Sequence, residues 1–211
     1  MNILIPYSWI KEFTNIKVSP EEVAKKLSLH SFSVERIEKQ PDGDVVFEIE
    51  ITPNRPDAMS VLGIAREVHA IFDREEDFQD AVPDVKLKTK KSTPLELDVE
   101  IKDEELCSRF AAVILDNVDV GPSPALVRER LRAVGLRPLN NAIDITNYLM
   151  IERGQPMHVF DYDKVAAAKM ILRASKKGEK IVTLDGEERE LPEGTIVIED
   201  GEKLIDLCGI M

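Results

Sequence analysis

Hydrophobic and polar residues alternate in two stretches of the chain, a pattern typical of half-buried β-strands. In VVFEIEIT (45–52) the apolar positions share one face and two glutamates share the other; these residues are Val45, Phe47, Ile49 and Ile51 against Glu48 and Glu50. LELDVEI (95–101) alternates in the same way. RFAAVILDNV (109–118) is more continuously apolar, which predicts an interior strand.

Apolar residues at helical spacing predict helices in the first third of the chain. One begins at SPEEV, where Ser19 can cap the helix, Pro20 suits the first helical position and Glu22 completes a capping box. Another covers residues 60–72, which carry an apolar stripe. His69 lies beside that stripe, and we interpret it as a partly exposed packing residue rather than a ligand.

The second half of the chain predicts two more helices and then a series of strands. GPSPALVRERLRAVG (121–135) has Ser123 as a candidate cap and Gly135 as a terminator, and residues 139–154 form the next helical segment. Beyond these helices short apolar runs alternate with turn residues. Asp-Gly at 185–186 is the clearest hairpin signal.

Together these elements predict an α+β fold with two domains. A small N-terminal α/β domain is expected at 1–80 and a charged linker at 81–94. A mixed domain of helices and antiparallel sheet is expected at 95–211. The final residues, LIDLCGIM, read as an apolar strand with no turn after it, so we expect this second domain to be C-terminally incomplete.

Composition narrows the class of protein. Two cysteines and three histidines stand at no metal-like spacing, which favours a reducing compartment and predicts no metal site. No apolar run approaches the length of a membrane span and the N-terminus lacks the features of a signal peptide, so a cytoplasmic location is expected. The chain has no Walker loop and no dinucleotide fingerprint, and therefore no motif for ATP or NAD chemistry.

Charge is distributed unevenly along the chain. The net charge of −12 argues against nucleic-acid binding through bulk charge. Residues 123–158, however, hold five arginines against three acidic residues, a net of +2 that leaves −14 for the remainder. The simplest interpretation of this excess is a solvated helix face.

A group of polar residues in and around the segment 139–154 forms the candidate site. Thr146 and Asn147 fall in the middle of the helix, where side chains gain little from capping. Gly154 and the residues after it can turn the chain so that His158 returns toward the helix, with Arg137 entering from the preceding loop. A histidine among neutral partners can orient water, although a structural role is commoner. No serine or cysteine accompanies it here, which disfavours covalent catalysis.

Three runs of sequence resemble the β chain of bacterial phenylalanyl-tRNA synthetases. They are EIEITPNRPDAMSVLGIAREV (48–68), RPLNNAIDITNYLMIERGQPMHVFD (137–161) and LDGEERELPEGTIVIEDGEKLIDLCGIM (184–211). The resemblance implies an N-terminal β-chain domain followed by an editing domain that hydrolyses tyrosine misattached to phenylalanine tRNA. It also implies two partners, the synthetase α subunit and the acceptor end of that tRNA. ATP and Mg²⁺ would be used by the α subunit, and no cofactor is expected in this chain.

The resemblance also implies roles for individual residues. His158, Asn147 and Thr146 are the expected catalytic residues: Asn147 and the backbone near Thr146 would position the ester and a water, and His158 would orient that water or the terminal ribose. The expected substrate-binding residues are Arg137, Gln155, Pro156, Met157 and Gly209.

Two departures from the family pattern limit these expectations. The stretch SVERIEKQPDGDVVFEIE (33–50) leaves no room for the oligonucleotide-binding module that bacterial β chains usually insert there. A family glutamate that helps recognise the tyrosine hydroxyl would follow Met211, so we expect deacylation by this chain to be weak or absent. The alternatives are a non-catalytic structural or subunit-binding fragment and a free-standing trans-editing hydrolase, which the abrupt apolar end disfavours.

Overall fold

The structure is a computed structural model that describes residues 1–72, 78 and 95–208. Five α-helices are described: α1 Tyr7–Ile10, α2 Pro20–His30, α3 Val61–Phe72, α4 Ala125–Ala133 and α5 Asn141–Arg153. The described strands are β1 Asn2–Pro6, β2 Val34–Lys39, β3 Val45–Glu50, β4 Asp98–Ile101, β5 Lys169–Ala174, β6 Lys180–Val182, β7 Glu188–Glu190, β8 Ile196–Glu199 and β9 Leu204–Leu207. This mixture confirms the predicted α+β class.

The chain forms two compact units that do not follow the predicted domain boundaries. The N-terminal unit comprises residues 1–86 and 119–159, and the C-terminal unit comprises residues 87–118 and 160–211. The prediction assigned α4 and α5 to the second domain, whereas these helices pack in the N-terminal unit. The predicted linker, 81–94, lies outside the described residues.

The N-terminal unit is built around a three-stranded antiparallel sheet in the order β1-β3-β2. The alternation predicted for β3 is confirmed, because its apolar face is buried while Glu50 is exposed. Ile5 pairs with Phe47 across β1 and β3, and Trp9 of α1 is fully buried in the same core. In α2 the predicted cap is present, since Ser19 Oγ accepts a hydrogen bond from the Glu22 N–H at 3.2 Å.

A buried cation helps to hold helices α4 and α5 in this unit. Arg130 of α4 is only 7% exposed, and its guanidinium lies 4.7 Å from the centre of the Trp9 ring. It donates hydrogen bonds to the Tyr148 hydroxyl and to Glu12. Trp9 in turn donates its indole N–H to Glu152 at 3.3 Å. Because the contacts of Glu12 and Trp9 with Arg130 and Glu152 join residues more than a hundred positions apart, the periodicity of the sequence could not predict them.

The C-terminal unit contains a four-stranded sheet in the order β4-β5-β8-β9. β4 runs parallel to β5, and the remaining neighbours are antiparallel. β6 and β7 form a separate hairpin whose turn contains Asp185 and Gly186, as predicted. Apolar side chains cover both faces of the larger sheet: Leu172 and Ile198 pack in one cluster, and Val197 packs in another.

The strand predicted over residues 109–118 is wrong. This segment adopts no regular secondary structure and pairs with no strand among the described residues. Val113 and Leu115 are 81% and 75% exposed, although Phe110 packs against the core of the C-terminal unit. A continuous apolar run favours strand structure only when a neighbouring strand accepts its backbone hydrogen bonds, and the four-stranded sheet leaves this segment outside.

The predicted cap of α4 is also wrong, whereas its terminator is confirmed. Pro124 occupies the N-cap position without a side-chain hydrogen bond. Ser123 instead donates its hydroxyl proton to the carboxylate of Asp144. Gly135 has a φ of 81°, and the backbone N–H groups of Gly135 and Leu136 donate to carbonyls of the last turn, so it ends the helix as expected.

Candidate functional site

The boundaries of α5 are fixed by side chains at both ends. Asn140 caps its start, since Oδ1 accepts from the Ile143 N–H at 3.1 Å. Gly154 ends it in the left-handed region with a φ of 79°. A Cβ at this position would lie 3.4 Å from the Cβ of Ser60, so a larger residue would be strained by conformation and crowded by its neighbour. These two residues therefore set the start and the end of α5.

A buried carboxylate ties α5 to the segments around it. Asp144 is 1% exposed. It accepts hydrogen bonds from the hydroxyl of Ser123 and, at 2.8 Å, from the backbone N–H of Leu139. The sequence showed Asp144 only as one of several polar residues of this helix, because its partners lie in other segments. Its hydrogen bonds explain how a charged residue is accommodated at a buried position.

Thr146 and Asn147 lie side by side in the middle of α5 and are half-buried. The Thr146 hydroxyl donates to the Ile143 carbonyl at 2.7 Å, so its proton is used in a hydrogen bond within the helix. The oxygen of that hydroxyl keeps capacity to accept a hydrogen bond. The spacing of Ile143, Thr146, Asn147 and Met150 places them along one face of the helix.

The remaining predicted site residues lie mostly in loops of the same unit. Arg137 and His158 are exposed, as are Gln155, Pro156 and Met157. The Gln155 side-chain amide donates to the Pro156 carbonyl at 3.1 Å, which stiffens the start of this loop. Gly209 lies outside the described residues. Every predicted site residue that the structure describes therefore belongs to the N-terminal unit.

Tyr148, next to the candidate residues, anchors α5 through the buried Arg130. Burial raises the pKa of the Tyr148 phenol, although the nearby Arg130 guanidinium acts in the opposite direction. Burial alone would lower the pKa of Arg130, but its hydrogen bonds to Glu12 and Tyr148 outweigh that effect and raise it. At neutral pH the contact therefore joins a neutral phenol to a permanent cation.

The described residues contain few alternatives for other kinds of chemistry. Among them, no cluster of three or more His, Cys, Asp or Glu side chains is arranged to hold a metal ion. Burial raises the pKa of the Cys208 thiol to about 11, which keeps it protonated and poorly nucleophilic at neutral pH. Within the same part of the chain, no helix has the length and apolar character needed to cross a membrane.

Comparison with known proteins finds one family and a consistent set of relatives. Residues 106–211 match the family described as the B3/4 domain. The chain is 47% identical over 178 residues to the phenylalanine–tRNA ligase beta subunit of Carboxydothermus hydrogenoformans, covering 84% of this chain and 22% of that protein. The beta subunit of Aquifex aeolicus is 44% identical over 174 residues, covering 80% and 21%.

The chain thus spans about a fifth of the length of these relatives. Among solved structures, an N-terminal fragment of the phenylalanyl-tRNA synthetase beta subunit of Pyrococcus horikoshii covers all of this chain and 62% of the fragment, with 16% identity and a TM-score of 0.49.

Proposed function

The chain belongs to the B3/4 domain family, and from this premise we propose that it is part of a phenylalanine–tRNA ligase β subunit that proofreads the charged tRNA. The reaction is hydrolysis of the ester between tyrosine and phenylalanine tRNA. The partners are the ligase α subunit, which would supply the ATP and Mg²⁺ chemistry, and the acceptor end of the tRNA. The proposed location is the cytoplasm.

The observation that carries this proposal is the extent of the identity to β subunits of that name. It reaches 41–47% over 169–178 residues in several relatives and spans about four fifths of this chain. The candidate residues Arg137, Asn147 and His158 all lie in the run 137–161, which is one of the runs that resemble the family. The editing role therefore rests on the same segment as the resemblance. Proofreading also answers a physical need, because an apolar pocket rejects an added hydroxyl only weakly.

We assign the chemistry to hydrogen-bonding residues around α5. Asn147 and the backbone near Thr146 position the ester carbonyl and a water molecule. His158 orients that water or the terminal ribose, and Arg137 holds the acceptor end. Gln155, Pro156 and Met157 line the approach. The role that the resemblance implies for Gly209 stays a prediction, because that residue lies outside the described residues. Each of these groups acts by binding or orienting, so the mechanism needs neither a metal ion nor a covalent intermediate.

A second candidate function is a non-catalytic role in subunit binding. It is favoured by the exposed apolar side chains of the segment 109–118, which are unusual on a free surface. In that case the chain would contribute to assembly of the ligase without hydrolysing the ester. The two candidates differ in whether the ester is cleaved, and one assay separates them.

That assay measures deacylation of tyrosyl-tRNA by the assembled ligase that contains this sequence, with the 211-residue chain in parallel. Replacing His158 by Ala is expected to slow the reaction about 10²-fold or more, the range found when a positioned acid–base group is lost. His30→Ala is the matched control, because His30 is an exposed histidine of α2 far along the sequence. Unchanged turnover in a folded His158→Ala enzyme would remove His158 from the mechanism.

A further inference from the structure

Lysine and arginine are distributed unequally along the chain. Between Lys102 and Lys164 every basic side chain is an arginine. This stretch also contains residues 123–158, a segment in which five arginines outnumber three acidic residues in a chain of net charge −12. Arginine differs from lysine in offering a planar fork of donors that matches phosphate geometry. The environment of each of these arginines therefore indicates whether it is available to bind phosphate.

The structure separates the five arginines of this segment into two groups. Arg130 is buried and bonded to Glu12, and Arg153 forms an ion pair with Glu152 at 3.2 Å. The other three are Arg128, Arg132 and Arg137, and none of them forms an ion pair with an acidic residue in the described part of the chain. Arg132 and Arg137 are exposed, and Arg128 is half-buried.

Arg128 and Arg132 lie one helical turn apart on α4. Side chains at this spacing are neighbours on the helix surface, and two like charges there destabilise a helix by a few tenths of a kcal/mol. The Nε of Arg128 is in addition buried without a hydrogen-bond partner among the described residues. An orphaned buried donor costs free energy. The stability of α4 alone therefore does not account for this pair.

The helix dipole explains only part of the arrangement. Arg130 and Arg132 lie in the last turn of α4, where a cation interacts favourably with the free carbonyl groups. Arg128 lies a turn earlier and gains little from that effect. Arg137 lies two residues after the Gly135 cap that ends α4, with no acidic residue between Arg130 and Arg137. Basic residues of α4 and the proposed acceptor-end residue are therefore close together in the sequence and in the same compact unit.

We propose that Arg128 and Arg132 form a phosphate-binding surface for RNA, and that this surface leads the nucleic-acid backbone to Arg137. The inference rests on the proposed function, which supplies RNA as the substrate. Two arginines on one helix turn contact successive phosphates without reading bases, and so position the RNA rather than select its sequence. This surface gives an acidic protein a local means of holding a polyanion.

The test measures the affinity of the 211-residue chain for a fluorescein-labelled RNA minihelix by anisotropy, over a series of salt concentrations. The double variant Arg128→Gln/Arg132→Gln is expected to weaken binding and to reduce the slope of log Kd against log salt by about 1.5–2, roughly one counterion per lost contact. Lys25→Gln is the control, because Lys25 is an exposed cation of α2 in the same unit.

The RNA titrations over the salt series decide whether Arg128 and Arg132 bind phosphate. A reduced slope in the double variant, with Lys25→Gln equal to wild type, supports the inference. Equal affinities and slopes for all three proteins would overturn it, and so would the absence of RNA binding by the wild type at low salt. Displacement of the RNA by inorganic phosphate at low millimolar concentration would also overturn it, because the arginines would then form a small-anion site. Since hydrolysis is not measured, failure of the editing function leaves a separate signature in the deacylation assay.

Discussion

At the scale of single residues, two arginines of similar appearance in the sequence have opposite environments. Arg130 and Arg132 both stand in the segment ALVRERLRA, two positions apart. The helix turns them to different sides, so Arg130 is buried against Trp9 while Arg132 is exposed. Charge alone suggested a solvated face for both. The environment of each residue, rather than its type, decides what its substitution costs.

Replacing Arg130 by Met tests this difference. The variant loses a buried cation–π contact with Trp9 and the hydrogen bonds to Tyr148 and Glu12, so we expect a loss of about 2–4 kcal/mol in the free energy of unfolding. Arg132→Met, on the exposed side, should change it by less than about 0.5 kcal/mol. Urea unfolding of both variants measures the two values. Similar losses for the two variants would contradict the burial of Arg130.

An ion pair in the C-terminal unit makes stability depend on acid pH. Arg173 donates to both carboxylate oxygens of Glu179 and also bonds Glu199. The hydrogen bonds from Arg173 lower the pKa of Glu179 from 4.5 to about 2. Since the folded-state pKa lies below that of the unfolded chain, the stabilisation is fully present above about pH 4.5 and is lost as the pH falls toward about 2.

We therefore expect Glu179→Gln to be less stable than wild type at pH 6 and to lose less of its stability between about pH 4.5 and pH 2. Thermal unfolding at a series of pH values measures both effects. Glu193→Gln serves as the control, since Glu193 is exposed in the turn before β8. Parallel pH profiles for Glu179→Gln and wild type would show that this carboxylate is not the group responsible.

At the scale of elements, the segments that the sequence predicted well are those whose structure is determined locally. The Ser19 cap and the Asp-Gly turn at 185–186 depend on neighbours in the sequence, and the alternation in β3 is visible along the strand itself. The strand predicted over residues 109–118 is absent because a strand needs a neighbouring strand to accept its backbone hydrogen bonds, and sequence patterning does not supply one. Its apolar run was read as an interior strand, and the structure leaves that run exposed.

A matched pair of substitutions measures how little this segment contributes to folding. Val113 is 81% exposed and Val197 of β8 is fully buried. Val→Thr adds a hydroxyl in place of a methyl group, so V197T should cost about 1–3 kcal/mol because the hydroxyl is buried, while V113T should cost less than about 0.5 kcal/mol. Urea unfolding compares the two. A loss at Val113 as large as that at Val197 would mean that the segment is packed in solution.

At the scale of the whole molecule, the sequence predicted the α+β class and the approximate position of most helices and strands. It did not predict which segments form each compact unit. The assignment of α4 and α5 to the N-terminal unit depends on contacts such as those of Arg130 with Trp9 and Glu12, which bridge distant parts of the chain. Residue patterns indicated Thr146, Asn147, His158 and Arg137 as candidates, and resemblance to a family supplied their roles and the other candidate residues. The exposure of each of these side chains could be determined only from the structure.

The central claim is that this chain belongs to a proofreading subunit, and the most direct measurement compares two esters. The assembled ligase containing this sequence is incubated with phenylalanine tRNA carrying either tyrosine or phenylalanine, and release of the amino acid is followed. We predict rapid loss of tyrosine with phenylalanine retained, and loss of that preference in His158→Ala. Equal and slow release of both amino acids by the wild-type enzyme would contradict the proposed function.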